Sequence, residues 1–555
     1  MFASTRTCLR GVTRRNGARL VSTSCHDAVA IAAVKAHARP APPTYLVAGI
    51  ITGGFLFGSF LSYQLANPIA LDSRSSPQAP PRAKKAPKYI TYKEVQKHNT
   101  RESCWVIISG QVYDATSVLR WHPAGPEVIL KLAGQDATKQ FVPIHPPNIL
   151  SHLPPSAHLG PVDPTTLPKQ SPEDTEEEER IAKSRGQLPE PGAALNLQDI
   201  EDYAKTVLTK TAWAYYRSTG DDEYTYWENF ESFKRFWFRP RVLHKISTIS
   251  MSTNIFGLES SLPIFIAPAA LARLGHPDGE MNLTRAAGAE GIVQGISNNA
   301  SCSVDEIMSV KRPNQNLIFQ LYMNKDRNAS EKLIRGLEGQ GFKAIMLTVD
   351  AAVPGNREID KRSKGFTVGP AHGKSGTEGQ GVALAISGYQ DPDVCWEDIP
   401  WIKSLTRLPL IIKGIQCVED AEKAFQYGAH SIILSNHGGR ELDFSPAPMT
   451  VLYELHQERP DLLRNHKVYI DGGVRRGTDV LKALCLGARG VGLGRPFLWA
   501  NAVWGEAGCR RVIEIMREEI GTGMRLLGVT SVDQLRPELV RYVDRAPAHG
   551  HRARL

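Results

Sequence analysis

The stretch Ser431–Arg440 reads SIILSNHGGR and decides how the long second half of the chain is interpreted. Its first four residues form an apolar run that is typical of a buried strand. His437 and Arg440 follow, three residues apart, at the carboxyl end of that strand. The two glycines between them let the backbone approach a ligand closely. The stretch therefore offers a proton acceptor and a bidentate carboxylate anchor within one turn.

Seven further apolar runs of similar length share this half of the chain, and helical stretches separate them. Eight such strand-helix units in about 350 residues predict an α/β fold, a (β/α)8 TIM barrel with functional side chains at the strand ends. One interval is much longer than the others, and its segment Gly365 to Ala383, rich in Gly, Ser and Lys, predicts a mobile loop over the barrel mouth. The runs start at Pro263, Gly291, Leu317, Ala344, Leu410, Ile432, Val468 and Gly490.

Polar side chains recur at the predicted carboxyl ends of these strands, where barrel enzymes carry their catalytic groups. Gln320 and Tyr322 follow the third run, and Lys413 ends the fifth. The last two runs lead into DGGVRR, residues 471–476, and GLGR, residues 492–495, whose glycine amides and arginine side chains suit a phosphate group. A base beside a carboxylate anchor is what an enzyme acting on a 2-hydroxy acid needs.

Residues from Asn196 onward resemble the FMN-dependent 2-hydroxy-acid oxidase and dehydrogenase family. The resemblance rests on SNHGGRELDFSPAP, VYIDGGVRRGTDVLKALCLGARGVGLGRPFLWA and MRLLGVTS. It implies FMN as cofactor, with Lys413 beside the flavin ring, where it stabilises the negative charge of reduced flavin. The FMN contacts that the resemblance implies are Pro268, Ala269, Ala270, Ser297, Gln320, Thr348, Lys413, Ser435, Asp471, Gly472, Gly473, Arg475, Gly494 and Arg495.

The same resemblance assigns roles around the substrate. Arg440 and Arg357 match the two arginines that bind the substrate carboxylate, and Tyr215 and Tyr322 match tyrosines that contact the substrate. His437 is expected to take a proton from the substrate. Whether the α-hydrogen leaves as a proton or as a hydride stays open. The catalytic residues implied are His437, Asp350, Tyr322 and Tyr215, with Asp350 stabilising the imidazolium that forms on the histidine.

The side-chain specificity is the least defined property of the predicted barrel. Ala270 and Asn299 match positions that shape the substrate side-chain pocket in the resembling family. The position of Asn299 is commonly leucine or tryptophan, so a polar asparagine there departs from the pattern. The sequence therefore leaves open which 2-hydroxy acid is preferred.

Residues 88–163 form a second compact segment, with HPAG starting at His122 and a further histidine at His145. Two neutral imidazoles on opposing loops can bind a haem iron from both faces. The stretches YKEV, CWVI, VYD and HPAG resemble cytochrome b5, which implies a small α+β domain that binds haem b through His122 and His145. Ala124 stands where that family usually has glycine, which adds one methyl group beside the haem loop.

A cytochrome b5-like domain joined to such a barrel resembles flavocytochromes that act as L-lactate:cytochrome c oxidoreductases. The resemblance implies L-lactate as substrate, cytochrome c as electron acceptor and a homotetramer. An oxidase that uses oxygen and a dehydrogenase for a different 2-hydroxy acid remain alternatives. A binding protein with a vestigial barrel is a further alternative, and the intact set of His437, Asp350, Lys413 and two arginines argues against it.

The remaining segments predict targeting and linkers. Residues 1–44 have the Arg-rich composition of a mitochondrial presequence, and residues 45–66 carry no charge over a length that can span a bilayer. Together they predict anchoring or release at the mitochondrial inner membrane, with the folded part in the intermembrane space. A disordered basic tail is the alternative, and the final residues Ala553-Arg554-Leu555 weakly resemble a peroxisomal address.

Residues 67–87 predict a linker, residues 164–195 an acidic, Pro-rich and flexible second linker, residues 196–545 the barrel, and residues 546–555 a tail. The net charge is +9, but residues 1–66 hold seven Lys or Arg and a single acid. Because most of the excess charge lies in this leader, the rest of the chain has no basic surface typical of nucleic-acid binding.

Overall fold

The computed structural model describes residues 89–122, 126–146, 148–169, 171–363 and 387–544. The predicted presequence, the apolar segment 45–66, the first linker, the predicted mobile loop and the tail 546–555 lie outside the described residues. All described residues belong to one of two compact units, Lys85–Leu555. Within the described ranges, no helix is long and apolar enough to cross a membrane.

The amino-terminal part of the described chain is a small α+β domain. Its antiparallel sheet has the order β1 (Trp105–Ile108), β2 (Gln111–Asp114) and β3 (His158–Pro161). Because strand side chains alternate between faces, Val106 and Ile108 pack into one core and Ile107 into another on the opposite face. Its helices are short: α1 (Tyr92–Val95), α2 (Glu127–Leu130) and α3 (Thr138–Phe141).

The segment predicted as a flexible acidic linker contains a helix that the sequence analysis did not predict, α4 (Pro172–Gly186). Ser171 caps its first turn through the backbone N–H of Asp174, and Pro172 starts it, which are the usual signals of a helix N-terminus. Arg180 donates hydrogen bonds to the carbonyls of Thr206 and Leu208. These bonds hold α4 against the helices that precede the barrel.

The predicted barrel is confirmed as a closed sheet of eight parallel strands in chain order. The first strand closes the barrel against the last, where Ile264 pairs with Val491. In the register of the fourth and fifth strands Thr348 lies beside Lys413, so two predicted functional residues meet at the carboxyl edge. The strands are β7 (Ile264–Ile266), β8 (Val293–Ile296), β9 (Leu317–Leu321), β10 (Ile345–Thr348), β11 (Leu410–Ile415), β12 (Ser431–Leu434), β13 (Lys467–Asp471) and β14 (Val491–Leu493).

Apolar side chains fill the barrel interior, so functional groups must lie at its end rather than in a pore. Phe265, Ile318 and Ile433 belong to this inner cluster and are fully buried. A second, larger cluster joins the strands to the surrounding helices. Those helices are α8 (Glu280–Glu290), α9 (Val304–Ser309), α10 (Arg327–Gly339), α11 (Glu358–Arg362), α12 (Asp398–Leu405), α13 (Val418–Gln426), α14 (Pro448–Glu458), α15 (Pro460–Asn465), α16 (Gly477–Cys485) and α17 (Arg495–Leu527).

Three helices precede the barrel and bring further residues to its mouth: α5 (Leu197–Val207), α6 (Lys210–Arg217) and α7 (Tyr224–Lys234). Asn196 caps α5 through the backbone N–H groups of residues 198 and 199, at the boundary predicted for the barrel domain. The end of α6 carries Tyr215, which is buried. Short strand pairs complete the unit: β4 (Phe236–Phe238) with β15 (Val540–Tyr542), and β5 (Thr253–Ile255) with β6 (Leu258–Ser260).

Candidate active site and haem site

One deep cleft lies at the carboxyl ends of the barrel strands. The space within it, including the part that is open to solvent, is about 1220 Å³. Every barrel residue predicted for the substrate or FMN lines it, except Asp350 and Ser435. The individual contacts with substrate and FMN stay predictions.

His437, which is partly exposed, forms a pair with the fully buried Asp350 at the edge of the cleft. Nδ1 of His437 lies 2.9 Å from Oδ1 of Asp350, whose side chain has no exposure to solvent. Burial raises the pKa of Asp350, but the charges of Lys413 and His437 outweigh it and lower that pKa to about 2. The carboxylate therefore fixes the ring through Nδ1, and Nε2 faces the hydroxyl of Tyr322 at 3.5 Å.

The backbone around His437 is arranged to present its ring. The residue has a φ of 57°, a left-handed conformation that few non-glycine residues adopt. Ser435 is fully buried, and its hydroxyl accepts hydrogen bonds from the backbone N–H of His437 at 3.1 Å and from Lys413 at 2.9 Å. Ser435 thus supports two residues of the cleft from behind.

Lys413 places a buried positive charge between two carboxylates. Its Nζ lies 3.7 Å from Asp350 and 3.6 Å from Asp471. Burial alone would lower the pKa of Lys413, but these two carboxylates raise it above the ordinary lysine value. The ammonium group is therefore charged at working pH and lies in position to stabilise negative charge on a ligand in the cleft.

Two arginines, of which Arg357 is buried and Arg440 is partly buried, face the same space with different partners. Arg357 forms a 2.6 Å ion pair with Glu441, which also accepts a hydrogen bond from the backbone N–H of Gly355. Arg440 donates to the carbonyl of Tyr216 at 2.7 Å, and no carboxylate within the described ranges forms an ion pair with it. Burial and the charge of Arg357 lower the pKa of Arg440. A partly buried guanidinium that forms no ion pair with a carboxylate of the described residues suits the anionic group of a ligand.

Unsatisfied donors in the cleft fit the FMN that the sequence predicts. Nε2 of Gln320, Oγ1 of Thr348 and Nη1 of Arg475 are buried and lack hydrogen-bond partners in the part of the chain that the structure describes. Oε1 of Gln320 already accepts hydrogen bonds from Ser297 and Asn298, so its Nε2 remains for a ligand. Because each unsatisfied buried group costs about 1–3 kcal/mol, these residues fit a cofactor rich in acceptors.

The end of the cleft formed by the last two strands fits a phosphate. Gly473 has a φ of 75°, and a Cβ there would lie 2.1 Å from the carbonyl oxygen of Asn229, so only glycine leaves this backbone approach open. Arg475 forms a 2.7 Å ion pair with Glu201, which fixes its guanidinium beside the glycines. Arg495 donates three N–H groups to the carbonyls of Tyr216, Ser218 and Gly438, which leaves it two donors for a ligand.

The small domain brings its two predicted iron ligands face to face. The ring centres of His122 and His145 lie 6.1 Å apart. Two imidazoles that bind one metal ion from opposite sides at about 2 Å place their ring centres about 6 Å apart. Nδ1 of His145 lies 3.1 Å from the carbonyl oxygen of Phe141, which leaves Nε2 for the iron, and burial lowers the pKa of His145. The pair therefore fits haem.

Several cleft residues were not predicted from the sequence. Glu441 holds Arg357, and Phe230 and Trp499 line the cleft on either side of Arg475. The indole N–H of Trp499 is a further buried donor without a partner in the described residues. An acidic residue directly after Arg440 was the one available signal for Glu441, whereas Phe230 lies in a helix far from any strand end.

The chain matches two known families along its length. Residues 204–542 match the FMN-dependent dehydrogenase family, and residues 91–163 match the cytochrome b5-like heme/steroid binding domain. A relative described as L-lactate dehydrogenase (cytochrome) of Wickerhamomyces anomalus is 43% identical over 457 residues, which cover 81% of this chain and 79% of the relative. Glycolate oxidase 1 of Oryza sativa subsp. indica is 43% identical over 352 residues, or 61% of this chain and 94% of the relative.

Solved structures show the same similarity. A mutant flavocytochrome b2 with bound pyruvate is 42% identical with a TM-score of 0.60, and the match covers 67% of this chain and 92% of that one. A mandelate oxidase mutant is 34% identical with a TM-score of 0.57, and the match covers 63% of this chain and 99% of that one. With FMN in its barrel and haem in its b5-like domain, the chain belongs to the FMN-dependent dehydrogenase family.

Proposed function

We propose that this protein oxidises L-lactate to pyruvate with FMN and passes the electrons through haem b to cytochrome c. The observation that carries the proposal is the pairing of two sites in one chain. In the barrel cleft, a proton-accepting histidine lies with an arginine that forms no ion pair with a carboxylate of the described residues, and in the small domain two facing histidines can hold a haem iron. The relatives described as L-lactate dehydrogenase (cytochrome), similar over both domains, support the same substrate and acceptor.

Different residues of the cleft bind the substrate and accept its proton. Arg440 and Arg357 bind its carboxylate, and Tyr322 and Tyr215 contact it and close the space around it. His437 accepts a proton at Nε2, and Asp350, which stays ionised because its pKa is about 2, stabilises the imidazolium. When bound, FMN takes up the two electrons that the substrate loses. Lys413 offsets the charge that the flavin gains.

The FMN assignments rest on the lining of the cleft. Gln320, Thr348 and Ser297 serve as hydrogen-bonding groups for the flavin ring, and Pro268, Ala269 and Ala270 form its contact surface. Gly472, Gly473, Gly494, Arg475 and Arg495 bind the phosphate, and Asp471 orients Lys413. Ser435 acts through Lys413 and His437 rather than as a lining residue.

The domain boundaries and the cellular setting belong to the same proposal. Residues 88–163 are the haem domain, residues 164–195 connect the two domains, and residues 196–545 are the barrel. The protein acts as a homotetramer in the mitochondrial intermembrane space. The basic presequence, residues 1–44, and the apolar segment, residues 45–66, support import and sorting at the inner membrane. The relatives described as cytochrome-linked dehydrogenases support a cytochrome as partner.

A substrate screen with two acceptors tests the proposal. The holoenzyme is mixed with L-lactate, glycolate, mandelate or a longer 2-hydroxy acid, and both cytochrome c reduction and peroxide release are measured. L-lactate is expected to drive fast cytochrome c reduction with little peroxide. The similarity to glycolate oxidase favours a second candidate, an oxidase, and peroxide release without cytochrome c reduction would establish that alternative. L-lactate as the poorest substrate would contradict the assigned acid.

A further inference from the structure

A network of amide and phenol groups lies beside the reacting residues of the cleft. It consists of Asn298, Asn299, Tyr389 and Gln390, called here the amide wall. The Tyr389 hydroxyl donates a 2.8 Å hydrogen bond to Oδ1 of Asn299 and accepts one from Nδ2 of Asn298. Asn299 and Gln390 line the cleft together with Tyr322, Arg357 and His437. The wall therefore presents polar atoms next to the substrate site.

Backbone contacts hold both halves of the amide wall in place. The N–H of Asn298 donates to Oε1 of Gln320 at 3.2 Å, and the N–H of Asn299 donates to Oγ of Ser297 at 3.1 Å. On the other side, the carbonyl of Tyr389 accepts a hydrogen bond from the N–H of Lys325 at 3.0 Å. Two segments about ninety residues apart in the chain are thus fixed against each other, as expected of a preorganised site.

The orientation of the Asn299 amide follows from its partner. Burial raises the pKa of Tyr389 to about 12, although hydrogen bonds with Asn298, Gln390 and Asn299 lower it, so the phenol keeps its proton at working pH. A protonated phenol that already accepts from Asn298 donates to Oδ1 of Asn299, which turns Nδ2 to the other side. No acceptor for that Nδ2 group is found in the described ranges, so its N–H donors remain for a ligand.

The roles assigned to the other cleft residues in the proposed function indicate which part of the substrate meets the amide wall. The substrate carboxylate lies with Arg440 and Arg357, and its hydroxyl lies with His437 and Tyr322. The remaining substituent of the α-carbon, the one that distinguishes one 2-hydroxy acid from another, meets the rest of the lining. Around the amide wall, this lining includes Ala270, Asn299, Ala351, Pro354 and Gln390, and these five residues carry no charge. A neutral hydrogen-bond acceptor fits this surface better than a second carboxylate, which would lack a cation.

We propose that Nδ2 of Asn299 donates a hydrogen bond to a neutral oxygen on C3 of the substrate. The enzyme then oxidises 2-hydroxy acids that carry a C3 hydroxyl, of which L-glycerate is the simplest, to the corresponding 2-oxo acids. The inference rests on the proposed function, because it concerns the same site and the same two-electron oxidation. L-2-hydroxybutyrate is the matched comparison, since a methyl group replaces the hydroxyl at similar size.

The test compares L-glycerate with L-2-hydroxybutyrate in the holoenzyme and in Asn299→Leu, which keeps the branch at Cγ and removes both polar atoms of the amide. We expect the ratio of their kcat/KM values to fall about tenfold in the variant, the usual effect of losing one neutral hydrogen bond. The loss should lie mainly in the KM for L-glycerate. Unaltered flavin and haem absorbance shows that the variant is folded and loaded.

Tyr389→Phe is the second variant and leaves Asn299 in place. Without the phenol hydroxyl the amide can rotate, so the glycerate to hydroxybutyrate ratio should fall by less than in Asn299→Leu. An unchanged ratio in Asn299→Leu, or an enzyme that oxidises L-lactate and not L-glycerate, overturns this inference alone. Oxidation of none of the three acids overturns the proposed function with it.

Discussion

The barrel cleft and the haem domain differ in the groups that surround their functional histidines. In the cleft, Asp350, Lys413 and Asp471 form a buried network of charges around His437. In the haem domain, His122 and His145 face each other, and Nδ1 of His145 lies at hydrogen-bonding distance from a backbone carbonyl, that of Phe141. This difference in surroundings follows from whether a site transfers protons or electrons. Substrate oxidation moves protons and needs fixed charges, whereas electron transfer through six-coordinate iron needs two well-placed neutral ligands.

Replacing the base of the cleft should have the largest effect. His437→Gln keeps a hydrogen-bonding side chain of similar length but removes the proton acceptor. We expect flavin reduction by L-lactate to slow by about 10³-fold, within the range for loss of a general base. FMN absorbance and the haem spectrum should remain normal. Near-normal turnover in the FMN-loaded variant would show that His437 does not accept the substrate proton. The cleft would then not differ from the haem domain by having a catalytic base.

The second largest effect should separate the two regions. His145→Ala removes one iron ligand, so the reduced protein should lose the sharp low-spin b-type spectrum. Flavin reduction by L-lactate should proceed at the normal rate while cytochrome c reduction falls close to background. His152→Ala, an exposed histidine of the same domain, is the matched control and should behave like the unmodified protein. A normal haem spectrum in His145→Ala would refute the ligand assignment.

A smaller effect is expected at the phosphate end of the cleft. Arg475→Met removes the partly buried guanidinium that pairs with Glu201 and whose Nη1 atom has no hydrogen-bond partner in the described residues. We expect the Kd for FMN to rise about tenfold, while the Kd for riboflavin, which lacks the phosphate, stays the same. The neighbouring Arg476→Met changes an exposed arginine and should alter neither value. Equal weakening of both flavins would mean that Arg475 stabilises the fold instead of the phosphate contact.

The smallest effect should come from the ion pairs between the haem domain and helix α4. Nζ of Lys139 lies 3.5 Å from Asp174 and 3.1 Å from Glu178, with all three side chains about half exposed. Exposed pairs of this kind contribute about 0–1 kcal/mol, so Lys139→Met should change the unfolding free energy by less than about 1 kcal/mol. Chemical denaturation at low and high salt measures this. A loss of unfolding free energy that is larger than this and independent of salt would show that the contact stabilises the packing of α4 against the haem domain.

Much of the cleft was predictable because parallel strands in chain order bring their carboxyl ends together. His437, Lys413 and Gln320 therefore meet at one edge, as their positions after apolar runs predicted. Helix α4 was not predicted, because a run of glutamates with nearby prolines is typical of a solvated linker, although Ser171 and Pro172 are ordinary start signals for a helix.

Contacts between loops that lie far apart in the chain could not be predicted from the sequence. Asn299 and Tyr389 come from loops whose approach depends on the packed barrel, and neither residue has a periodic pattern around it that predicts the other. Arg357 was assigned to the substrate carboxylate, but its ion pair with Glu441 depends on the meeting of two loops. Ser435 was predicted as an FMN contact, and only the side-chain geometry shows that it supports Lys413 and His437.

Rapid mixing of the oxidised holoenzyme with L-lactate under anaerobic conditions tests the central claim most directly, because flavin and haem absorb at different wavelengths. We expect flavin bleaching first and haem reduction second, followed by reduction of added cytochrome c. His437→Gln should slow all three steps, and His145→Ala should leave only the first. Flavin bleaching in the unmodified protein without any reduction of haem would contradict the transfer of electrons from the barrel to the haem domain.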